Sequence, residues 1–217
     1  MIEIENALKK FYENRDKSHD WNHVINVKNN ALMIIDNLDD ELTDLDINII
    51  LISCIAHDIW DHKYSKDLDK TNTLKNEFTS ILSSFNYTND TINDIITIID
   101  NISFAKEFKL RNEGSNLFLP ESIKYLRNIV SDSDKLEALG IEGIKRMIDY
   151  RIYSNNQNIM EDIKEHYNNK LSKLIKDDYI KLEFSKKIGS IKIKEMENII
   201  SDDLLLQDFL NNYILNS

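Results

Sequence analysis

Glycine and proline are scarce in this chain, at four and one in 217 residues. A sheet-rich fold needs special turns about every 8–12 residues, so the shortage argues against one and favours helices. The glycines, Gly114, Gly140, Gly143 and Gly189, never fall into the spacing of a dinucleotide-binding fingerprint or a P-loop. The single cysteine, Cys54, rules out an intramolecular disulfide and a thiolate metal cluster, and fits a reducing compartment. No apolar run approaches the roughly 20 residues of a membrane span. The stretch Met1-Ile2-Glu3-Ile4-Glu5 lacks the basic start and apolar segment of a signal peptide. Positive charge is in the minority: 27 basic against 38 acidic residues leave a net charge of −11. A field of that sign repels nucleic acid and anionic lipid. The expectation is a cytoplasmic, acidic, all-α protein with neither nucleic acid nor membrane as partner.

What is present reads as helices. Ile2 to Arg15 carries Ile4, Leu8, Phe11 and Tyr12 on one face, and Asp16 to Asp20 interrupts it with capping residues. From Trp21, the residues Val24, Val27, Ala31, Ile34 or Ile35, and Leu38 follow a 3.6-residue period. Ile47, Ile50, Leu51, Cys54 and Ile55 belong to a run so continuously apolar that it predicts a central helix, ending at His57-Asp58. Two further helices are expected over Thr71 to Ser84 and Thr88 to Asn101. Ser103 to Leu119 reads as a long structureless connection, of the kind that is usually functional or disordered. Pro120-Glu121-Ser122 opens a helix (Ile123 to Val130) that leads into Ser131-Asp132-Ser133-Asp134, and Gly140 to Ser217 reads as three or four helices. No repeat and no linker divides the chain.

Five histidines can be weighed for chemistry: His19, His23, His57, His62 and His166. His57-Asp58 ends the apolar helix. Consecutive residues diverge by about 100° in mid-helix, but at a helix end the second side chain can swing round toward a shared ion. His23 lies in register with Val24, Val27 and Ala31, close to the core, and Asp132 and Asp134 follow a third apolar helix. Two imidazoles with two carboxylates make a mixed nitrogen and oxygen site suited to a divalent metal ion. Mn2+ is expected first, with Mg2+, Co2+, Fe2+ and Zn2+ compatible.

With these residues the chain resembles the HD-domain metal-dependent phosphohydrolase superfamily, and within it the small bacterial-type nucleotide hydrolases. The resemblance is carried by Ser-His-Asp-Trp-x-His-Val at Ser18 to Val24, His-Asp-Ile-x-Asp-x-Lys at His57 to Lys63, and Asp-x-Asp-x-Leu-x-Ala-Leu-Gly at Asp132 to Gly140. His-Tyr-x-x-Lys-Leu at His166 to Leu171 adds to it. It implies a single compact helical domain over residues 1–217, with an HD core of about residues 18–153 and a C-terminal helical extension of about 154–217. It also implies metal ligation by His23, His57, Asp58 and Asp134, the last chosen over Asp132 because it directly precedes Lys135-Leu136. Asp61 falls where related enzymes carry a carboxylate that handles the attacking water.

The implied activity is hydrolysis of a small-molecule nucleotide by metal-activated water, a (deoxy)nucleoside triphosphate giving monophosphate and pyrophosphate. A 5′-nucleotidase or a (p)ppGpp-type hydrolase would use the same ligands, and a non-catalytic metal-bound nucleotide sensor would retain them. His19 and His62 flank the metal motifs as candidates for a general acid or a phosphate contact. An anionic substrate must approach a protein of net charge −11, so local cations are needed, and Lys63, Lys106, Lys135 and Arg146 are the candidates. An acidic helical protein of this kind is also compatible with a homodimer.

Overall fold

The computed structural model describes residues 1–61 and 67–215, and among these no strand occurs. The expectations on His62 and Lys63 lie outside the described residues. The helix expected from Ile2 stops early: α1 is Ile2–Lys9, followed by a 3-10 turn over Lys10–Tyr12. α2 (Trp21–Ile35) starts where Asp20 accepts hydrogen bonds from the backbone N–H groups of Asn22 and His23, and it buries Val24, Val27, Ala31 and Ile34. α3 (Asp44–Ala56) opens on a capping box formed by Thr43 and Asp46, and every residue from Ile49 to Ala56 is buried. The apolar run therefore does read as a central helix. It packs against α1, α2, α5 (Asn89–Ile99) and α7 (Glu121–Glu137), while α4 (Leu68–Ser84) covers α1 and α5.

Two expectations fail here. The supposed long connection contains α6 (Phe104–Asn112), N-capped by Ser103. Its sequence has no clean apolar stripe, because the tie that holds it is electrostatic: Glu107 on its inner face meets Arg127 and Lys135 of α7. Nor does α7 open after Val130. It continues through the polar run Ser131 to Asp134 to Glu137, because three of those side chains find partners. The Ser131 hydroxyl donates to the Ile102 carbonyl, that of Ser133 to the Ile129 carbonyl, and Asp132 accepts from the N–H groups of Lys181 and Leu182. Buried polar groups are tolerated when satisfied in this way.

Gly140, at φ +77°, turns the chain from α7 into α8 (Gly140–Tyr153), a left-handed conformation that glycine adopts without steric cost. The remainder holds more helix than expected. α9 (Ile159–His166) passes through a π-turn at Tyr167–Leu171 into the short α10 (Lys173–Lys176), and α11 (Glu183–Ile200) and α12 (Asp203–Leu215) follow. α11 packs against α7, α8 and α12, and α12 also reaches α8 through the Tyr213 hydroxyl on Asp149. No helix of the described residues is long and apolar enough to cross a membrane.

Candidate metal centre

Three helices bring the chemistry together. His23 is in the first turn of α2, on its buried face, and Asp20 fixes where that turn begins. His57 is the C-cap of α3, and the chain leaves the helix there through a turn in which Asp58 doubles back. Arg15 clamps this turn by donating to the carbonyls of Asp58 and Ile59 at 3.2 and 2.9 Å. Asp134 comes from α7, whose register against α2 is set by Asn26 on Glu137 and Asn30 on the Ser133 carbonyl. Within α7, residues 132 and 134 are separated by about 200°. Asp132 therefore faces the C-terminal segment at Lys181–Leu182, while Asp134 faces the histidines.

The Nε2 atoms of His23 and His57 stand 3.1 Å apart. Asp58 Oδ2 is 3.6 and 3.3 Å from them, and Asp134 Oδ1 is 3.8 and 3.7 Å away. His23, His57 and Asp58 are all buried and offer ligand atoms mutually within 4.8 Å, a group that could hold a metal ion. Asp134 sits at the open side, its side chain 34% exposed. The Nδ1 of His57 lies 2.8 Å from the Cys54 carbonyl, which only accepts, so Nδ1 carries a proton. Arg146, which only donates, approaches His23 Nε2 at 3.3 Å. Both imidazoles thus turn lone pairs toward each other, and Asp58 Oδ2 is buried beside them with no hydrogen-bond partner among the described residues. A cation shared by these atoms, either a proton on one ring or a metal ion, satisfies that arrangement. Two nitrogens each about 2.1 Å from one ion at a right angle are about 3.0 Å apart, so the spacing fits a metal.

The electrostatics have the same sense. Burial alone would lower the His57 pKa, but the adjacent Asp58 carboxylate, helped by Asp134, raises it to about 9. His23 is pushed well below the ordinary imidazole value by burial and by the cations Arg146 and His57. Asp58, although burial opposes its charge, is held well below the usual carboxylate range by His57, His19 and His23. A cavity of about 400 Å³ opens on this cluster, lined among others by His19, Trp60, Asp61, Asp134, Arg146 and Lys170.

The proposed phosphate cations fare differently. Arg146 borders the cavity, but its Nε and Nη2 are bound to the Ser18 carbonyl at 3.0 and 2.8 Å. Lys106 does not line the cavity; it donates to the Asp100 carbonyl at 3.0 Å, folded back over the end of α5. Lys135 is buried, with its Nζ 2.6 Å from the Tyr179 carbonyl and 3.6 Å from Glu107. Its proximity to Asp134 in sequence misleads, because neighbours on a helix point about 100° apart. Burial brings its pKa down to about 8; it borders the cavity, but its amine is committed to Tyr179 and Glu107. Lys170 is the cation that sequence reasoning passed over. It reaches the cavity from the π-turn, with its amine 5.3 Å from the Phe104 ring centre. The His166-to-Leu171 motif contained it, and π-turns are frequent at functional sites.

The chain matches no protein-family model and no curated protein. Solved structures do match. A protein from Lactobacillus plantarum aligns with a TM-score of 0.70 at 18% identity, over 91% of this chain and 92% of its own. Bacillus subtilis YpgQ, crystallised in complex with ADP, aligns at 0.66 and 20%, over 92% and 93%. The Listeria innocua protein Lin1889 aligns at 0.61 and 23%, over 92% and 93%. The likeness is one of fold, extending over nearly the whole of each chain.

Proposed function

We propose that this chain is a metal-dependent phosphohydrolase of the HD-domain kind, cutting a (deoxy)nucleoside triphosphate to monophosphate and pyrophosphate. The observation that carries the reading is the pair of imidazole Nε2 atoms 3.1 Å apart, flanked by Asp58 and Asp134 at the floor of a cavity. A nucleotide as substrate is supported by the neighbour YpgQ, a protein of this fold solved with ADP.

His23, His57, Asp58 and Asp134 hold the ion, with Mn2+ the first candidate among divalent metals. A bound divalent ion supplies a Lewis acid for a phosphoryl oxygen and lowers the pKa of a coordinated water toward ~7. The residues around it do the rest. His57 is oriented by its Nδ1 bond to the Cys54 carbonyl, the outer-sphere hydrogen bond typical of ligating histidines. Asp61 borders the cavity three residues after Asp58, where its carboxylate orients a water. Arg146 and Lys170 give the cavity the positive charge that a polyphosphate requires on a protein of net charge −11. In the reaction the water oxygen bonds to the α-phosphorus, the bond to the bridging oxygen breaks in line, and pyrophosphate leaves with that oxygen.

The test is a product assay on purified protein with Mn2+ or Mg2+. Pyrophosphate released from a triphosphate supports the proposal. Phosphate from monophosphates would make the protein a 5′-nucleotidase, and no turnover on any nucleotide would make it a binding module.

A further inference from the structure

A second cavity, of about 280 Å³, adjoins the metal cavity, and His19, Ala138, Arg146 and Lys170 border both. Its wall on one side is α8, where Gly143, Arg146, Met147, Tyr150 and Arg151 are linked by helical steps of three and four. His166 and Lys170 come from the end of α9 and from the π-turn. Separate small-molecule sites run from roughly 300 to 1,000 Å³. The chamber therefore suits one end of a ligand whose remainder occupies the metal cavity.

The titratable groups of its lining have one sign. Five basic side chains border the chamber, His19, Arg146, Arg151, His166 and Lys170, and among the described residues no carboxylate does. The chain as a whole has 38 acidic and 27 basic residues, so this is a local reversal of its charge. Arg151 belongs to the chamber alone, since it does not border the metal cavity. Its side chain is only 13% exposed, yet the carboxylate paired with it, Asp162, stands 3.9 Å from Nε, beyond hydrogen-bond distance. Its guanidinium carbon lies 5.7 Å from the Tyr150 ring centre. A cation withdrawn from water beside one distant counter-charge is incompletely compensated, and the guanidinium fork matches phosphoryl oxygens. The metal cavity also has an apolar wall of Ile99, Ile102 and Phe104, none of which borders the chamber.

We infer that the chamber seats the β- and γ-phosphates of the substrate, and that Arg151 selects a nucleoside triphosphate over a monophosphate. The nucleotide as ligand rests on the hydrolase reading; the chamber as a polyanion site rests on its own lining. The α-phosphate lies at the metal centre and the nucleoside against the apolar wall. The phosphate chain runs past Arg146 and Lys170 to Arg151. Arg146 holds the Ser18 carbonyl through Nε and Nη2, which fixes the passage between the two spaces. When the bond from the α-phosphorus to the bridging oxygen breaks, pyrophosphate is left in the chamber, its new negative charge facing these cations.

The test is equilibrium titration of the full-length protein with Mg2+. One set of probes is the α,β-methylene analogues of the four deoxynucleoside triphosphates, which cannot be cut at that position; the other is the four monophosphates. Wild type should bind a triphosphate analogue more tightly than its monophosphate. Arg151→Ala should weaken the triphosphate analogue about tenfold or more, as for a lost charge-assisted contact, and leave the monophosphate unchanged. Arg151→Lys keeps the charge without the fork, and should show a smaller loss confined to the triphosphate; it is read alone should the alanine variant not fold. Equal losses on both probes, a loss on the monophosphate alone, or no loss on the triphosphate would each overturn the inference. If wild type binds no nucleotide, the hydrolase reading fails, and inorganic tripolyphosphate then decides the chamber. Binding that Arg151→Ala weakens about tenfold keeps it as a polyanion site, and binding that is absent or the same in both proteins removes it.

Discussion

The lone pairs of His23 and His57 face one another across 3.1 Å, and a cation is what lets them stay there. A proton and a metal ion therefore compete for one place. With the His57 pKa raised to about 9 by Asp58 and Asp134, an ion that binds below that pH must release the proton first. Metal affinity should rise about tenfold per pH unit between about 6 and 9 and level off above, as expected for exchange of one proton. Titration calorimetry in buffers of different ionisation enthalpy measures that proton, and an affinity independent of pH would contradict it. Asp132 and Asp134 make a second test of single residues. Asp134→Ala should weaken metal binding and leave stability nearly unchanged. Asp132→Ala strands the N–H groups of Lys181 and Leu182, so it should cost about 1–3 kcal/mol in urea unfolding while metal binding persists.

At the scale of the element, sequence resolved what periodicity encodes. The faces of α2 and α3 were legible because Val24, Val27, Ala31 and the Ile49–Ala56 run leave no alternative to burial. The residues of the candidate centre were legible through their motifs, since His23, His57, Asp58 and Asp134 do converge. What escaped was whatever depends on partners distant in sequence. α6 exists through Glu107, and the continuation of α7 through residues 131–134 depends on acceptors and donors at Ile102, Lys181 and Leu182. The commitment of Lys135 to the Tyr179 carbonyl was hidden for the same reason, whereas Lys106 folds back onto Asp100, six residues before it. The junction of α7 and α8 gives an element-level prediction. A Cβ on Gly143 would stand 2.2 Å from the Ala138 carbonyl oxygen, so Gly143→Ala must displace α8 and with it Arg146. A stability loss of about 1–3 kcal/mol is expected, with weaker nucleotide binding, read by chemical denaturation and equilibrium titration.

At the scale of the whole molecule, a cluster of buried charge gathers on Glu107. Glu107 is buried, and Arg111, Arg127, Lys135 and Lys181 all approach it within 3.6 Å. Burial opposes its ionisation, but Lys135, Arg127 and Lys181 bring its pKa down to about 2. A carboxylate with a depressed folded pKa contributes stability that is complete above its unfolded value and lost as pH falls toward the folded one. The expected loss is on the order of 3 kcal/mol between about pH 4.5 and 2. Glu107→Gln should flatten that acid limb in unfolding experiments, and an unchanged limb would place the acid sensitivity elsewhere.

The account as a whole depends on a divalent ion being held between α2, α3 and α7. The most direct measurement is the metal content of the purified protein after equilibration with Mn2+ and desalting, made side by side on wild type and His57→Ala. Close to one or more ions per chain in wild type, with the variant folded and essentially metal-free, is the predicted result. Equal metal content in the two proteins, or none in wild type at neutral pH, would contradict it.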